Sequence, residues 1–339
     1  MNIIIPMAGR GSRLRPHTLT TPKPLLPVAG LPIVERLVED IVRTLPEPVQ
    51  NIAFITGRFG EETERDLLEI AKRLGAVGSV CYQDEPLGTA HAILCAKESL
   101  EGPIVVAFAD TLFRADFSID PNSDGVLFVQ RIDDPSAFGV VITDDNGGIV
   151  DYVEKPKEFV GDLAMIGIYS FKDGARLRKE LQYLIDNDIR LAGEYQLPDA
   201  LTNMTKSGMT FTTGKVSEWM DCGNKPVTVE TNRRVLTILE EEGRLHNKTG
   251  IDSSAQIIES VIIPPCYIGP GVVIERSVVG PHVSIGANTK VSDTIMSNSL
   301  VQNDTEINHS NLKAAMIGAK ASIRGTIQDM SVGDFCSIG

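Results

Sequence analysis

The chain has no pair of cysteines at metal-ligating or redox spacing: its five, Cys81, Cys95, Cys222, Cys266 and Cys336, are odd in number and widely scattered. That pattern suggests neither a disulfide framework nor a zinc site, so the thiols are expected to be small buried hydrophobes. No apolar run approaches the ~20 residues of a membrane-spanning helix, and the N-terminus enters a strand without a charged leader, which predicts a cytoplasmic protein. Positive charge is in deficit as well. A formal charge of −13 argues against nucleic acid or an anionic membrane as partner, since either would want a basic face. Acid is missing from the start of the chain: no Asp or Glu precedes Glu35, whereas Arg10, Arg13, Arg15 and Lys23 all do. In an acidic protein such a segment is a local reservoir of positive charge for an anionic ligand.

What fills that stretch is a buried-strand pattern, Asn2 to Ile5, followed by the turn Ala8-Gly9-Arg10-Gly11-Ser12. Glycines directly after a buried strand let backbone N–H groups converge on phosphate oxygens. Lys23 stands between Pro22 and Pro24, which fix φ and stiffen the loop that carries its ammonium. A dinucleotide fingerprint would need glycine where Leu14 stands, and a Walker loop would need Gly-Lys-Ser/Thr ahead of a helix; neither is present. Together, the strand, Gly11-Ser12-Arg13-Leu14 and Thr21-Pro22-Lys23-Pro24-Leu25-Leu26-Pro27 resemble the start of the sugar-phosphate nucleotidyltransferases of the glucose-1-phosphate thymidylyltransferase and uridylyltransferase kind. The commoner loop of that family has one more small residue before its glycine.

At 339 residues the chain is long enough for two domains, expected at 1–240 and 251–339. Strand and helix patterns alternate up to about Ala109, with helices expected at 61–74 and 89–100. Such alternation predicts an α/β, Rossmann-like domain with a mostly parallel sheet, its ligands beyond the carboxyl ends of the strands. Gln83 and Asp110 stand at two such ends. Gln83-Asp84-Glu85-Pro86-Leu87-Gly88 resembles the family's base-reading segment: a carboxamide offers a donor and an acceptor to uracil or thymine, and Gly88 would admit a backbone group to the ring. Asp110 resembles the family's Mg²⁺-holding aspartate, and a carboxylate ending so apolar a strand is costly to bury unless a cation or hydrogen bonds pair with it. Its simpler reading is a cap for the next segment.

Beyond residue 125 the pattern becomes hairpins, with Asn146-Gly147 the strongest turn signal. Phe138-Gly139-Val140-Val141 and Glu154-Lys155-Pro156 resemble the family's sugar-phosphate pocket, in which glycine admits the hexose, glutamate accepts from its hydroxyls and lysine neutralises its phosphate. Gly167 and Tyr169 are expected as pocket walls and Glu194 as a further hydroxyl acceptor; many thymidylyltransferases carry arginine where Ala192 stands. Asp221 resembles the second Mg²⁺ ligand, or alternatively caps the helix expected at 225–240.

The C-terminal part repeats. Ile262, Ile268, Ile274; Val279, Ile285, Val291; Ile295, Val301, Ile307; Leu312, Ile317, Ile323; and Ile327, Val332, Ile338 fall on a six-residue grid with a coil about every 16 residues, which predicts a left-handed parallel β-helix of hexapeptide repeats. His282 and His309 are the candidate bases for an acyltransferase there, although a scaffold and homo-oligomer interface is the simpler role.

The resemblance implies transfer of a nucleoside monophosphate from an NTP, dTTP or UTP, to a sugar-1-phosphate such as glucose-1-phosphate, with release of pyrophosphate. Arg13 and Lys23 would hold the triphosphate with Ala8, Gly9, Gly11 and Ser12 around it, Lys155 the sugar phosphate, and Asp110 with Asp221 a Mg²⁺ ion. The alternatives are a GDP-mannose-type guanylyltransferase, a bifunctional enzyme with acyl transfer, and a non-catalytic sensor, which would be expected to lose the aspartates or basic residues kept here.

Overall fold

The computed structural model describes residues 1–9, 11–115, 123–325 and 330–338, so that Arg10 and Ile327 of the patterns above lie outside the described residues. The chain forms two compact units, Met1–Gly9 with Leu37–Trp219, and Arg10–Arg36 with Met220–Gly339. Their membership differs from the sequence segments 1–240 and 251–339, since the basic loop and the helix after Asn224 group with the repeat.

In the first unit, among the described residues, nine strands form one sheet, and its β-branched runs, Asn2–Pro6, Asn51–Thr56 and Ile104–Ala107, are almost wholly buried, as strands covered on both faces must be. The strands are β1 (Asn2–Pro6), β2 (Asn51–Thr56), β3 (Val77–Tyr82), β4 (Ile104–Ala107), β5 (Gly125–Arg131), β6 (Gly139–Thr143), β7 (Ile149–Glu154), β8 (Leu163–Phe171) and β9 (Phe211–Lys215). The sheet runs β7-β6-β8-β4-β1-β2-β3, with β5 on β8 and β9 on β5. Strands β4, β1, β2 and β3 are mutually parallel, as alternation predicts. Beyond β4 the hairpins add β8 antiparallel to it, making the sheet mixed. Ile4, Ala53 and Val106 pack with Ala90 and Ile93 of helix 89–94 and with Leu177 and Leu181 of helix 174–186 in one continuous core.

The helix expected at 89–100 stops at Leu94, and a tight turn follows at Lys97–Ser99. Polar bonds explain the break: Asn2 donates to the Ser99 carbonyl at 2.9 Å and Asn51 to its hydroxyl at 2.8 Å, drawing the chain onto the starts of β1 and β2. The Asn146-Gly147 turn forms as expected, with Asp144 Oδ1 accepting from the Asn146 and Gly148 N–H groups and Gly147 at φ +83°.

In the second unit the repeat builds a left-handed β-helix whose three faces, among the described residues, are sheets of six, four and five parallel strands. Ile268, Ile285, Val301 and Ile317 line its buried interior on one face, and Ile274, Val291, Ile307 and Ile323 on another. The grid fails at Ile295. Ile295 is 57 % exposed and Met296 is fully buried, because Val279 pairs with Met296 after a coil of 17 residues. One added residue reverses which side chain faces inward in a structure of period two.

Candidate active site

The carboxyl ends of the parallel strands carry the first group of candidates. β1 ends at Pro6, and the Met7 N–H donates to the Ile55 carbonyl at 2.8 Å before the chain opens at Ala8 and an exposed Gly9, whose Cβ position is empty. At the end of β3 the Gln83 carboxamide NH₂ lies 3.1 Å from the Gly88 carbonyl and 3.2 Å from His91 Nδ1. Burial lowers the His91 pKa, which favours the neutral ring whose Nδ1 accepts. Both donors of Gln83 are thereby engaged, and its carbonyl oxygen is the edge it offers a ligand. Gly88 is required by packing: at φ +109° a Cβ would stand 2.4 Å from the Tyr195 carbonyl oxygen. The Ala90 N–H donates to that carbonyl and the Tyr195 N–H to Leu87, so segment 83–90 is stitched to segment 194–197.

At the end of β4 the chain turns through Phe108 and Ala109 to Asp110, which is exposed rather than buried. The expectation that this carboxylate needs a cation or hydrogen bonds because it is desolvated therefore does not hold. Nor does it cap a helix, since a strand, Thr111–Arg114, follows it. Thr111 is buried and accepts from the Trp219 indole N–H at 2.8 Å.

At the start of β6, Gly139 faces Glu154 and Met165. A Cβ there would come within 2.9 Å of Glu154 Oε2 and 2.3 Å of Met165 Cε, so any larger residue would displace the ends of these two side chains. Lys155 follows in the left-handed region at φ +45°, its Nζ 3.4 Å from Glu154 Oε1 and its side chain mostly exposed. Gly167, at φ +84°, sits where the β5–β8 register shifts, and its carbonyl accepts from Phe108 N–H at 2.9 Å. Tyr169 is buried and meets Phe108 edge to face at 6.3 Å. Burial first, then the charges of Glu154 and Asp110, pushes its phenol well above the ordinary tyrosine range, so it stays protonated. The charges of Asp110 and Glu154 thus both act on Tyr169, and Glu154 in turn meets Lys155 and Gly139. Glu194 is exposed and accepts from the Gln196 carboxamide at 2.9 Å.

Two side chains escaped the sequence reading. Trp219 packs edge to face on Phe138 at 5.0 Å, beside the Gly139 corner. Asp199, in the first turn of the Leu197–Lys206 helix, has a buried Oδ2 without a partner, and burial followed by the Glu154 charge raises its pKa. An acid in a helix first turn reads as a dipole partner, which hides any other role.

In the second unit Gly11, Thr18 and Lys23 form a closed knot. The Thr18 hydroxyl donates to the Gly11 carbonyl at 2.8 Å, and a Cβ on Gly11, at φ +61°, would lie 2.8 Å from Lys23 Cβ. Lys23 is buried within the turn Lys23–Leu25, whereas Ser12 and Arg13 are exposed. Asp221 is not the helix cap: Asn224 accepts from the Val227 N–H and starts the helix Lys225–Glu241. Gly223 makes room for the Asp221 carboxylate, since a Cβ there would meet Oδ2 at 2.7 Å. His282 and His309 both occupy left-handed corner positions, φ +62° and +51°. The His282 ring lies 3.1 Å from the Thr237 hydroxyl and the His309 ring bonds Asn308, which gives both a structural explanation.

Carboxylate and amide side chains stand at the ends of the parallel strands, where the ligands of an open α/β sheet lie. Residues 2–237 match the nucleotidyl transferase family model, and the chain belongs to that family. It is 29% identical to the low-salt glycan biosynthesis nucleotidyltransferase Agl11 of Haloferax volcanii, over 95% of this chain and 94% of that protein. It is also 29% identical to a glucose-1-phosphate thymidylyltransferase of Streptomyces antibioticus, over 91% and 88% of the two. The bifunctional protein GlmU of Methanococcus aeolicus is 28% identical over 100% of this chain and 79% of its own length. Among the described residues no helix is long and apolar enough to cross a membrane.

Proposed function

We propose that the protein transfers a nucleotidyl group from dTTP or UTP to a sugar-1-phosphate, glucose-1-phosphate being favoured, with release of pyrophosphate. The observation that carries this reading lies at the end of β4. There the charges of Asp110, where a nucleotide ligand belongs, and of Glu154, which meets Gly139 and Lys155, both act on one buried Tyr169. A phosphate oxygen of the sugar attacks the α-phosphorus of the NTP, and the bond to the β-phosphate oxygen breaks. Such a reaction rests on positioning and charge neutralisation, with no protein nucleophile.

Lys155 neutralises the sugar phosphate, while Glu154 and Glu194 accept from sugar hydroxyls. Arg13 and Lys23 grip the triphosphate against the backbone amides of Ala8, Gly9, Gly11 and Ser12. Asp110 and Asp221 supply the hard oxygen donors that suit Mg²⁺. Bound there, the ion would offset charge on the phosphate oxygens. The Gln83 carbonyl accepts from the imino N–H of thymine or uracil, and adenine, which has a lone pair at that edge, is refused. The same acceptor also suits guanine, so GTP with mannose-1-phosphate is the competing pair. A panel of NTPs against sugar-1-phosphates, followed by pyrophosphate release, separates them. The highest kcat/KM is expected for dTTP or UTP with glucose-1-phosphate. Highest turnover of GTP with mannose-1-phosphate would overturn the assignment, and no turnover of any pair would make the protein a sensor.

A further inference from the structure

The basic loop is fastened to the last coil of the β-helix, Met330–Ile338, through three contacts within the second unit. His17 is 1 % exposed, and its Nε2 lies 3.2 Å from Ser331 Oγ. The Thr20 hydroxyl donates to the Asp334 carboxylate, whose other oxygen accepts from the Ala319 N–H at 2.7 Å and so ties the contact to the preceding coil. Gly333 lets Pro16 lie flat on the coil, since a Cβ there would stand 2.9 Å from Pro16 Cβ. These anchors fall within Pro16–Thr20, between Arg13 and Lys23 in the chain, and Thr18 adds the bond to Gly11. A loop carrying two cations would otherwise lose conformational freedom each time it closed on a ligand, and a fastened one has lost it already.

We propose that the last β-helix coil is the positioning element of the triphosphate loop, with Ser331, Gly333 and Asp334 fixing Pro16, His17 and Thr20 and, through them, the spacing of Arg13 and Lys23. This rests on the reading that the loop holds the triphosphate. These are positioning residues; none touches substrate. It gives the C-terminal repeat a part in the transferase reaction that needs no activity of its own.

The test uses the full-length protein and separate KM values for the two substrates. Thr20→Val removes the bond from the loop side and leaves the coil unaltered. The double variant Ser331→Ala/Asp334→Ala removes both polar anchors from the coil side. Each is expected to raise KM for the NTP and lower kcat, by about tenfold in kcat/KM for the double variant, the scale of a mispositioned contact. KM for the sugar phosphate should stay within about twofold, because that pocket is built by other residues. Asp334→Asn keeps an oxygen acceptor and should retain most activity. Arg276→Ala, which removes an exposed ion pair with Asp293 elsewhere on the β-helix, should change nothing. Lys23→Ala separates the two ideas. If it impairs NTP use while Thr20→Val and the double variant do not, the coil is no positioning element and the triphosphate reading stands. If Lys23→Ala is also without effect, the reading of the loop itself falls.

Discussion

Asp110 is exposed, so its charge can be removed at little structural cost, and its substitution separates chemistry from folding. Asp110→Asn is expected to lower turnover by about a hundredfold or more, the scale of losing a preorganised transition-state contact. The melting temperature should hold, because surface substitutions usually change stability by less than ~0.5 kcal/mol. Added Mg²⁺ should recover part of the loss; full activity with unchanged Mg²⁺ dependence would place the metal elsewhere. Gly88 is the opposite case. An alanine there must adopt φ +109° and push its Cβ into the Tyr195 backbone. Gly88→Ala should therefore destabilise the fold by roughly 2 kcal/mol or more, read by urea unfolding, quite apart from any effect on the base site. An unchanged unfolding midpoint would mean that segments 83–90 and 194–197 separate freely.

At the scale of elements, the basic loop carries a titration that its sequence does not announce. Burial, the largest cause, holds the His17 pKa at about 4, with the Lys225 ammonium acting in the same direction and the Asp334 carboxylate against it. The unfolded chain takes up this proton near pH 6.5, whereas the native protein does so only near pH 4. More protons are thus bound in the unfolded state between those values, and stability falls as pH drops from about 6.5 to about 4 and is level above. The contribution is of order 3 kcal/mol at most. Comparing urea unfolding of the wild type and His17→Gln at pH 7.5 and pH 5 isolates it: the variant should lose less stability on acidification. Equal losses would mean that His17 is solvated.

At the scale of the molecule, the two units change what truncation should do. The polar residues proposed for nucleotidyl transfer all precede Gly243, which by sequence order would leave a shortened chain partly active. The basic loop, however, groups with residues 220–339 and is anchored on Ser331 and Asp334. Ending the chain after Gly243 removes those anchors and exposes the buried loop side of His17. Transferase activity is expected to fall by at least about tenfold, with weaker NTP binding by calorimetry. Retention of wild-type kcat/KM by the truncated chain would show that the loop holds its shape alone. Light scattering on the same pair tests the expectation that the β-helix also joins copies of the chain.

The order of strands and helices, the repeat and the glycine corners were legible because local patterns dictate them. Burial on both faces selects the β-branched runs of β1, β2 and β4, and a six-residue period admits few folds other than a β-helix. Asp110 and Gln83 could be placed at strand ends for the same reason. Three things were decided only by tertiary structure. Whether Asp110 is buried depends on what covers the strand end, and nothing in Phe-Ala-Asp-Thr states that. Ile295 and Met296 exchange roles because one extra residue in a coil shifts the inward face, and either side chain is apolar enough to serve. Above all, the grouping of Pro16–Thr20 with Ser331–Asp334 joins residues more than three hundred positions apart through a histidine, two hydroxyls and a carboxylate. No periodicity links such residues, because the bond between them exists only once both segments are folded.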